Sequence, residues 1–361
     1  MLETLRVLSR ESQALGLLGV VGLALAGLSL AFVAYAVVRR LATDRKARRR
    51  KELERRWEEP VLAAMSDPEA LPALWDRVER RDRLVFVDYV LRFARRVRGD
   101  ERALLEKAAA PYLDLLTPRL SHRQTAIRVR AVQTLGHLGL PRFTDAVLRA
   151  LDDPTTLVAM VAARALARPA YDRHAHELVR RLERFHRWSR GYLASLLAGI
   201  GPTVAEELRS TLADTSRPPW VRAVAAEALR HLADPAAAAA AVAVVEGEDD
   251  RELVAAALRL LTRVGGPDQA AAVRGLTGSG DFVIRCLALT TLGELGGEED
   301  VPLLLEAVGD PSPWVAIHAA RALRAGGRTD ALAALAEETA GERATTARQL
   351  LEELSVGGGA A

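Results

Sequence analysis

The sequence predicts an all-α chain: one N-terminal transmembrane helix followed by a solenoid of stacked helical hairpins. Three observations lead there. Residues 14–38 carry no charge, whereas charged residues make up 27% of the whole. A pattern of small and apolar residues, clearest in the stretch WVAIHAARALRAGG (residues 314–327), returns every 31 or 32 residues along the chain. The composition is 50% apolar but only 4% aromatic, with alanine and leucine as the main fillers, both strong helix formers.

In chain order, residues 1–13 form a short extracytoplasmic N-terminus. The apolar run 14–38, at 1.5 Å per helical residue, is long enough for a hydrocarbon core of about 30 Å. A cleaved signal peptide is the rival reading, with Ala34-Tyr35-Ala36 as a small-x-small site. The run exceeds a signal core in length, however, and Arg39 and Arg40 succeed it at once. Before the span stand only Arg6 and Arg10, balanced by Glu3 and Glu11; after it come Arg39, Arg40, Arg45, Lys46, Arg48, Arg49, Arg50 and Lys51. Positive flanks stay inside, so the N-terminus faces out and the remainder lies in the cytoplasm. Gly22 with Ala26 and Gly27 with Ala31 make small-xxx-small pairs that would admit a second helix closely.

Residues 39–59 read as a basic helical stalk ending at Pro60. Its charges either contact anionic headgroups, at about 1 kcal/mol per basic residue, or serve only to fix topology. Residues 60–120 have helical spacing out of register with the later repeats, in three segments that are longer and more aromatic. They suit an atypical N-terminal cap, since the end of an array has no neighbour on one side.

The array occupies residues 121–354. Seven segments align without a gap, starting at Ile127, Val158, Ser189, Val221, Leu253, Ile284 and Val315, on the pattern V-R-x-x-A-A-x-A-L-x-x-L-G. Positions one, five, eight, nine and twelve are apolar and cover one broad helical face. The closing glycine is where a helix end wants a residue tolerant of positive φ. Second helices lie between these segments, several introduced by proline or an acid. Each unit is a hairpin that cannot bury its apolar face alone, and stacking hides it. Residues 342–354 close the array, and 355–361 form a disordered tail.

The pattern resembles HEAT repeats, in the short form of about 30 residues found in many bacterial proteins and in phycobilisome lyases. The resemblance implies a right-handed α-solenoid with the V-R helices lining the concave side. It also implies that the position-two arginines (Arg128, Arg190, Arg222 and Arg285) pair with an acid in a neighbouring turn and tie repeats together. By analogy with anchored bacterial proteins of this kind, the membrane is the bacterial inner membrane.

Several chemistries lack their residues. Gly278-Ser279-Gly280 is an inter-repeat turn without the lysine of a phosphate-binding loop, and no H-E-x-x-H, C-x-x-C pair or G-x-S-x-G occurs. One cysteine, Cys286, allows no internal disulfide and reads as a packing residue. His174, His176 and His186 share one predicted helix at spacings that do not converge on a metal. No cofactor or metal is expected. The acidic C-terminal half argues against nucleic acid.

Trp188, Trp220 and Trp314 precede position one and are expected to cap the apolar seam. Positions four, seven and eleven remain free to face a partner. The candidate docking residues there are Arg130, His137, Arg164, Arg168, Tyr192, Glu227, His231, Arg259, Arg263, His318 and Arg321. The expected function is a non-enzymatic scaffold that docks a protein partner, either another membrane protein or its cytoplasmic domain, for example in an envelope polysaccharide synthase. Two alternatives stay open: a HEAT-like lyase or other protein-modifying enzyme, and a membrane organiser that self-associates through its span.

Overall fold

The computed structural model describes the backbone of residues 2–357 except 95, 339 and 340. Side chains are described for residues 27–352, apart from those three and 169, 170 and 342. Among the described residues there is no strand. The chain divides into two compact units, Met1–Leu116 and Thr117–Ala361.

In the first unit α1 (Leu2–Ser66) runs without a break through Pro60, the expected end of the stalk. Proline removes one intrahelical hydrogen bond. Burial on either side offsets that loss, because Trp57, Val61 and Ala64 are all buried. The end of the stalk is thus part of the cap's core. Around it pack α2 (Leu71–Asp76), α3 (Arg83–Ala94) and α4 (Gly99–Ala109), followed by a 3-10 stretch (Ala110–Ser121). Trp57 meets Phe86 edge-on at 5.2 Å, and Phe86 meets Tyr112 at 5.9 Å. The aromatic excess of residues 60–120 is this cluster, where edge-to-face pairs add to plain burial.

In the second unit the seven expected first helices all form: α5 (Thr125–Leu138), α7 (Thr156–Leu166), α9 (Arg190–Ala198), α11 (Pro219–Leu232), α13 (Arg251–Val264), α15 (Phe282–Leu295) and α17 (Pro313–Ala325). Between them lie α6 (Thr144–Arg149), α8 (Ala175–Arg180), α10 (Ala205–Ala213), α12 (Ala238–Gly247), α14 (Ala270–Arg274) and α16 (Val301–Ala307), most of them entered through a 3-10 turn that begins at proline. Helices α18 (Thr329–Glu337) and α19 (Glu342–Gly357) end the array. The positions read as seam are buried: in α17 these are Val315, Ala319, Ala322 and Leu323.

Two of the four position-two arginines, Arg128 and Arg285, do the predicted structural work. Arg128 donates to both carboxylate oxygens of Asp153 at 2.7 and 3.0 Å, and Arg285 does the same to Asp310 at 2.8 and 3.0 Å. Each aspartate also accepts from a backbone N–H two residues on, Thr155 or Ser312, which forms the inter-repeat turn. Arg222 departs from the scheme by donating to the Leu212 carbonyl and to Glu248. Arg190 reaches Glu252 at the start of α13.

Three expectations need correction. Gly139 and Gly327 do close their helices at positive φ (65° and 74°), but Gly265 and Gly296 are extended, and at Ala233 the left-handed cap is held by alanine, φ 52°. Trp314 does not cap the seam, because it is 64% exposed. His174, His176 and His186 do not share a helix: the first ends a 3-10 turn, the second lies in α8 and the third comes after another 3-10 turn. Among the described residues no three His, Cys, Asp or Glu side chains gather where a metal could sit.

Candidate docking face of the repeat array

First helices pack directly in two runs, α5 with α7, then α9 through α17 in succession, with little contact between α7 and α9. The second element at this junction carries Tyr171 and Phe185, both fully buried.

Along the solvent face of the first helices, position four divides. Arg130 and Tyr192 are exposed, but Val224 and Ala256 are buried and belong to the seam. His318, also at position four, is half-buried. Positions seven and eleven form the open face. Arg164, His231, Arg263 and Arg321 are exposed; His137, Arg168, Glu227 and Arg259 are half-buried.

Adjacent repeats bring these residues together in three groups. Arg168 Nη1 lies 2.6 Å from His137 Nδ1 and donates to the His137 carbonyl at 3.2 Å. Since guanidinium only donates, Nδ1 is the acceptor and the ring is neutral in this contact. Together with Gln133, Val161, Arg164 and Ala165, these two residues line an open hollow of about 360 Å³ between α5 and α7. In the second group Glu227 takes Arg259 of the next repeat at 3.4 Å and Arg230 of its own helix at 3.0 Å. Arg230, at position ten, went unremarked in the sequence, where only its i, i+3 relation to Glu227 pointed to it. In the third, Thr290 Oγ1 and His318 Nδ1 are 2.9 Å apart. Burial, and then the Arg321 charge, hold the His318 imidazole below its ordinary pKa. Tyr192 stands apart, its ring 5.9 Å from that of Trp188.

Elsewhere Leu157 (51%) and Phe282 (46%) join Trp314 as exposed apolar side chains at the starts of first helices. Cys286 is buried, and burial raises its thiol pKa, so it is packing rather than nucleophile. A hollow between α8 and α10 mixes Asp172, Glu206 and Glu207 with Arg173 and His176, and so has no single charge character.

The basic stalk residues also divide. Arg49 pairs with Asp82 at 2.7 Å and Arg50 with Glu54 at 2.9 Å, so these two bind the cap and are removed from the headgroup set. Arg39, Arg40, Arg45, Lys46, Arg48 and Lys51 are exposed without an acidic partner within 4.0 Å among the described residues. Gly27 and Ala31 are exposed, whereas the side-chain environments of Gly22 and Ala26 lie outside the described residues. Among the described residues no helix is long and apolar enough to cross a membrane. Leu28, Leu30, Phe32 and Val33 are each more than half exposed on α1.

The family model described as HEAT repeats matches residues 270–355. No curated protein matches the chain. Among solved structures, Kap121p bound to Pho4p is 16% identical, with a TM-score of 0.49 over 82% of this chain and 39% of that one. Kap121p alone is also 16% identical, with a TM-score of 0.45 over 79% of this chain. This chain thus spans only 38% of Kap121p. The complex of CpcE and CpcF of phycocyanin lyase from Nostoc sp. PCC7120 is 18% identical, with a TM-score of 0.30 over 67% of this chain and 94% of that one.

Proposed function

We propose that this chain is a membrane-anchored scaffold whose repeat array docks a protein partner on the first-helix face. The observation that carries it is the division of labour within each first helix. Apolar positions and the position-two arginines are consumed by the stack, while positions seven and eleven stay open and differ from repeat to repeat. Together with the exposed position-four residues Arg130 and Tyr192, such a surface offers arginine, histidine and tyrosine among small residues, the composition of protein interfaces.

The anchor is the charge-free run 14–38, with the N-terminus outside and the array in the cytoplasm of a bacterial inner membrane. Its support is the run itself, the basic residues after it, and the exposed apolar side chains of α1 from Leu28 to Val38. The six unpaired stalk cations would meet anionic headgroups. A partner held this way is most simply another membrane protein or its cytoplasmic domain.

Gentle detergent extraction followed by purification of the full chain tests the reading. One partner in fixed stoichiometry is expected, lost when Arg164→Glu and Arg321→Glu are combined. A chain that leaves the membrane in an alkaline carbonate wash contradicts the anchor. A partner retained by the double variant contradicts the face.

A further inference from the structure

We propose that the hollow between α5 and α7 receives the carboxylates of an acidic, extended segment of the docked protein. This rests on the docking reading and specifies what the occupant carries. Several arginines of the array are neutralised by acids of the chain: Arg128 by Asp153, Arg285 by Asp310, Arg222 by Glu248 and Arg259 by Glu227. Arg130 on α5, and Arg164 and Arg168 in the lining of this hollow, have no acid within 4.0 Å among the described residues. Arg263 and Arg321 further along the face lack one too, but here two such arginines share one hollow whose lining contains no acid.

The geometry favours a carboxylate. Arg168 uses only Nη1 in its contacts with His137, so that contact holds the guanidinium while Nε and Nη2 remain as donors. Arg164, in the last turn of α7, lines the same hollow, and Gln133 offers an amide from α5. A guanidinium already fixed in place matches a planar carboxylate in two-pronged fashion and loses little freedom on binding.

Spacing favours a segment over a lone anion. Packed helices lie about 8–10 Å apart, which is about three residues of polyproline II chain at roughly 3.1 Å each. With three residues per turn, acids at i and i+3 of such a segment share one face and can therefore meet Arg130 on α5 and either Arg164 on α7 or Arg168 just beyond its end. Nucleic acid fits less well. Further along the same face a polyanion would meet Glu227 and Glu294.

Fluorescence anisotropy on the full chain in phosphatidylcholine nanodiscs tests this. The probes are a labelled short peptide with glutamate at every third position and its glutamine counterpart. The glutamate peptide should bind at least about tenfold more tightly than the glutamine one, weaken with salt, and lose that advantage in Arg164→Glu but not in Arg321→Glu. Thermal melting of each variant confirms that it folds. Equal binding of the two peptides, or an unchanged Arg164→Glu, overturns the proposal. So does displacement by inorganic phosphate as effective as by unlabelled peptide, which marks a small-anion site, or tighter binding of oligothymidylate than of the glutamate peptide. If the peptide fails while a partner still co-purifies and is lost in the double variant, this inference falls and the docking reading stands. If the peptide binds but no partner co-purifies, the docking reading falls alone.

Discussion

Gly293 on α15 lies so close to Ala322 on α17 that a Cβ on the glycine would stand 2.6 Å from the alanine Cα and 2.9 Å from its carbonyl oxygen. These are position ten of one first helix and position eight of the next. The same crossing recurs with Gly136 against Ala165. At Thr262 and Thr291 it becomes a hydrogen bond between hydroxyls 2.8 Å apart. Residue size at this crossing sets how closely successive repeats approach. Gly293→Ala should therefore force α15 and α17 apart and destabilise the array by about 1–3 kcal/mol, read as a lower urea midpoint. An unchanged midpoint would mean that the backbone gives way freely here.

Ala233 closes α11 in the left-handed region, at φ 52°, where a Cβ is strained. Glycine removes that strain but adds freedom to the unfolded chain. With the two effects opposed, Ala233→Gly should stabilise by about 0.5–1 kcal/mol. Differential scanning calorimetry would show a higher melting temperature, and a lower one would refute the strain argument.

The inter-repeat turns make stability depend on acid. For Asp153 and Asp310 burial works to raise the carboxyl pKa, but the arginine hydrogen bonds and the Thr155 or Ser312 N–H outweigh it, leaving both below the ordinary value. For Asp300 the Arg274 hydrogen bonds lead, with burial opposing and the Gly297 N–H assisting, again to a lowered pKa. A lowered folded pKa gives stability that is fully present above the unfolded value of about 3.9 and is lost as pH falls through the folded one. Urea midpoints should thus decline below about pH 4, and Asp300→Asn should flatten that decline. A variant with the wild-type pH profile would remove Asp300 from this role.

His318 should titrate below the ordinary imidazole value, because burial and then the Arg321 charge disfavour its cation. As pH falls below about 6.5 the unfolded chain takes up a proton that the folded one does not, and that increment of stability is lost. NMR titration of the His318 ring protons checks the direction, and Arg321→Gln should move the midpoint upward. A midpoint that does not move means that Arg321 contributes nothing.

The periodic parts of this molecule were legible in the sequence because they are set locally. A 3.6-residue apolar period identifies a first helix whatever its neighbours are, and all seven formed. What the sequence hid depends on neighbours. Pro60 read as a stop, yet α1 continues with Trp57 and Val61 buried on either side, Trp57 against Phe86 and Tyr89 about 30 positions away. Trp314 read as a seam cap because aromatics recur at its position, but its side chain finds no cover. In the candidate site the open positions seven and eleven were readable from the period. The pairings Arg168 with His137 and Glu227 with Arg259 were not, since each joins neighbouring repeats and depends on how one helix crosses the next.

Site-specific photo-crosslinking in living cells tests the central claim most directly. A benzophenone side chain placed at Gln133, Ser195 or His231 on the first-helix face is compared with one at Glu206 or Ala239 on the second helices, all five being exposed positions. The docking account predicts one discrete adduct from the first-helix positions, abolished by Arg164→Glu combined with Arg321→Glu, and none from the second helices. Adducts arising only from Glu206 and Ala239, or unaffected by the double substitution, would contradict it.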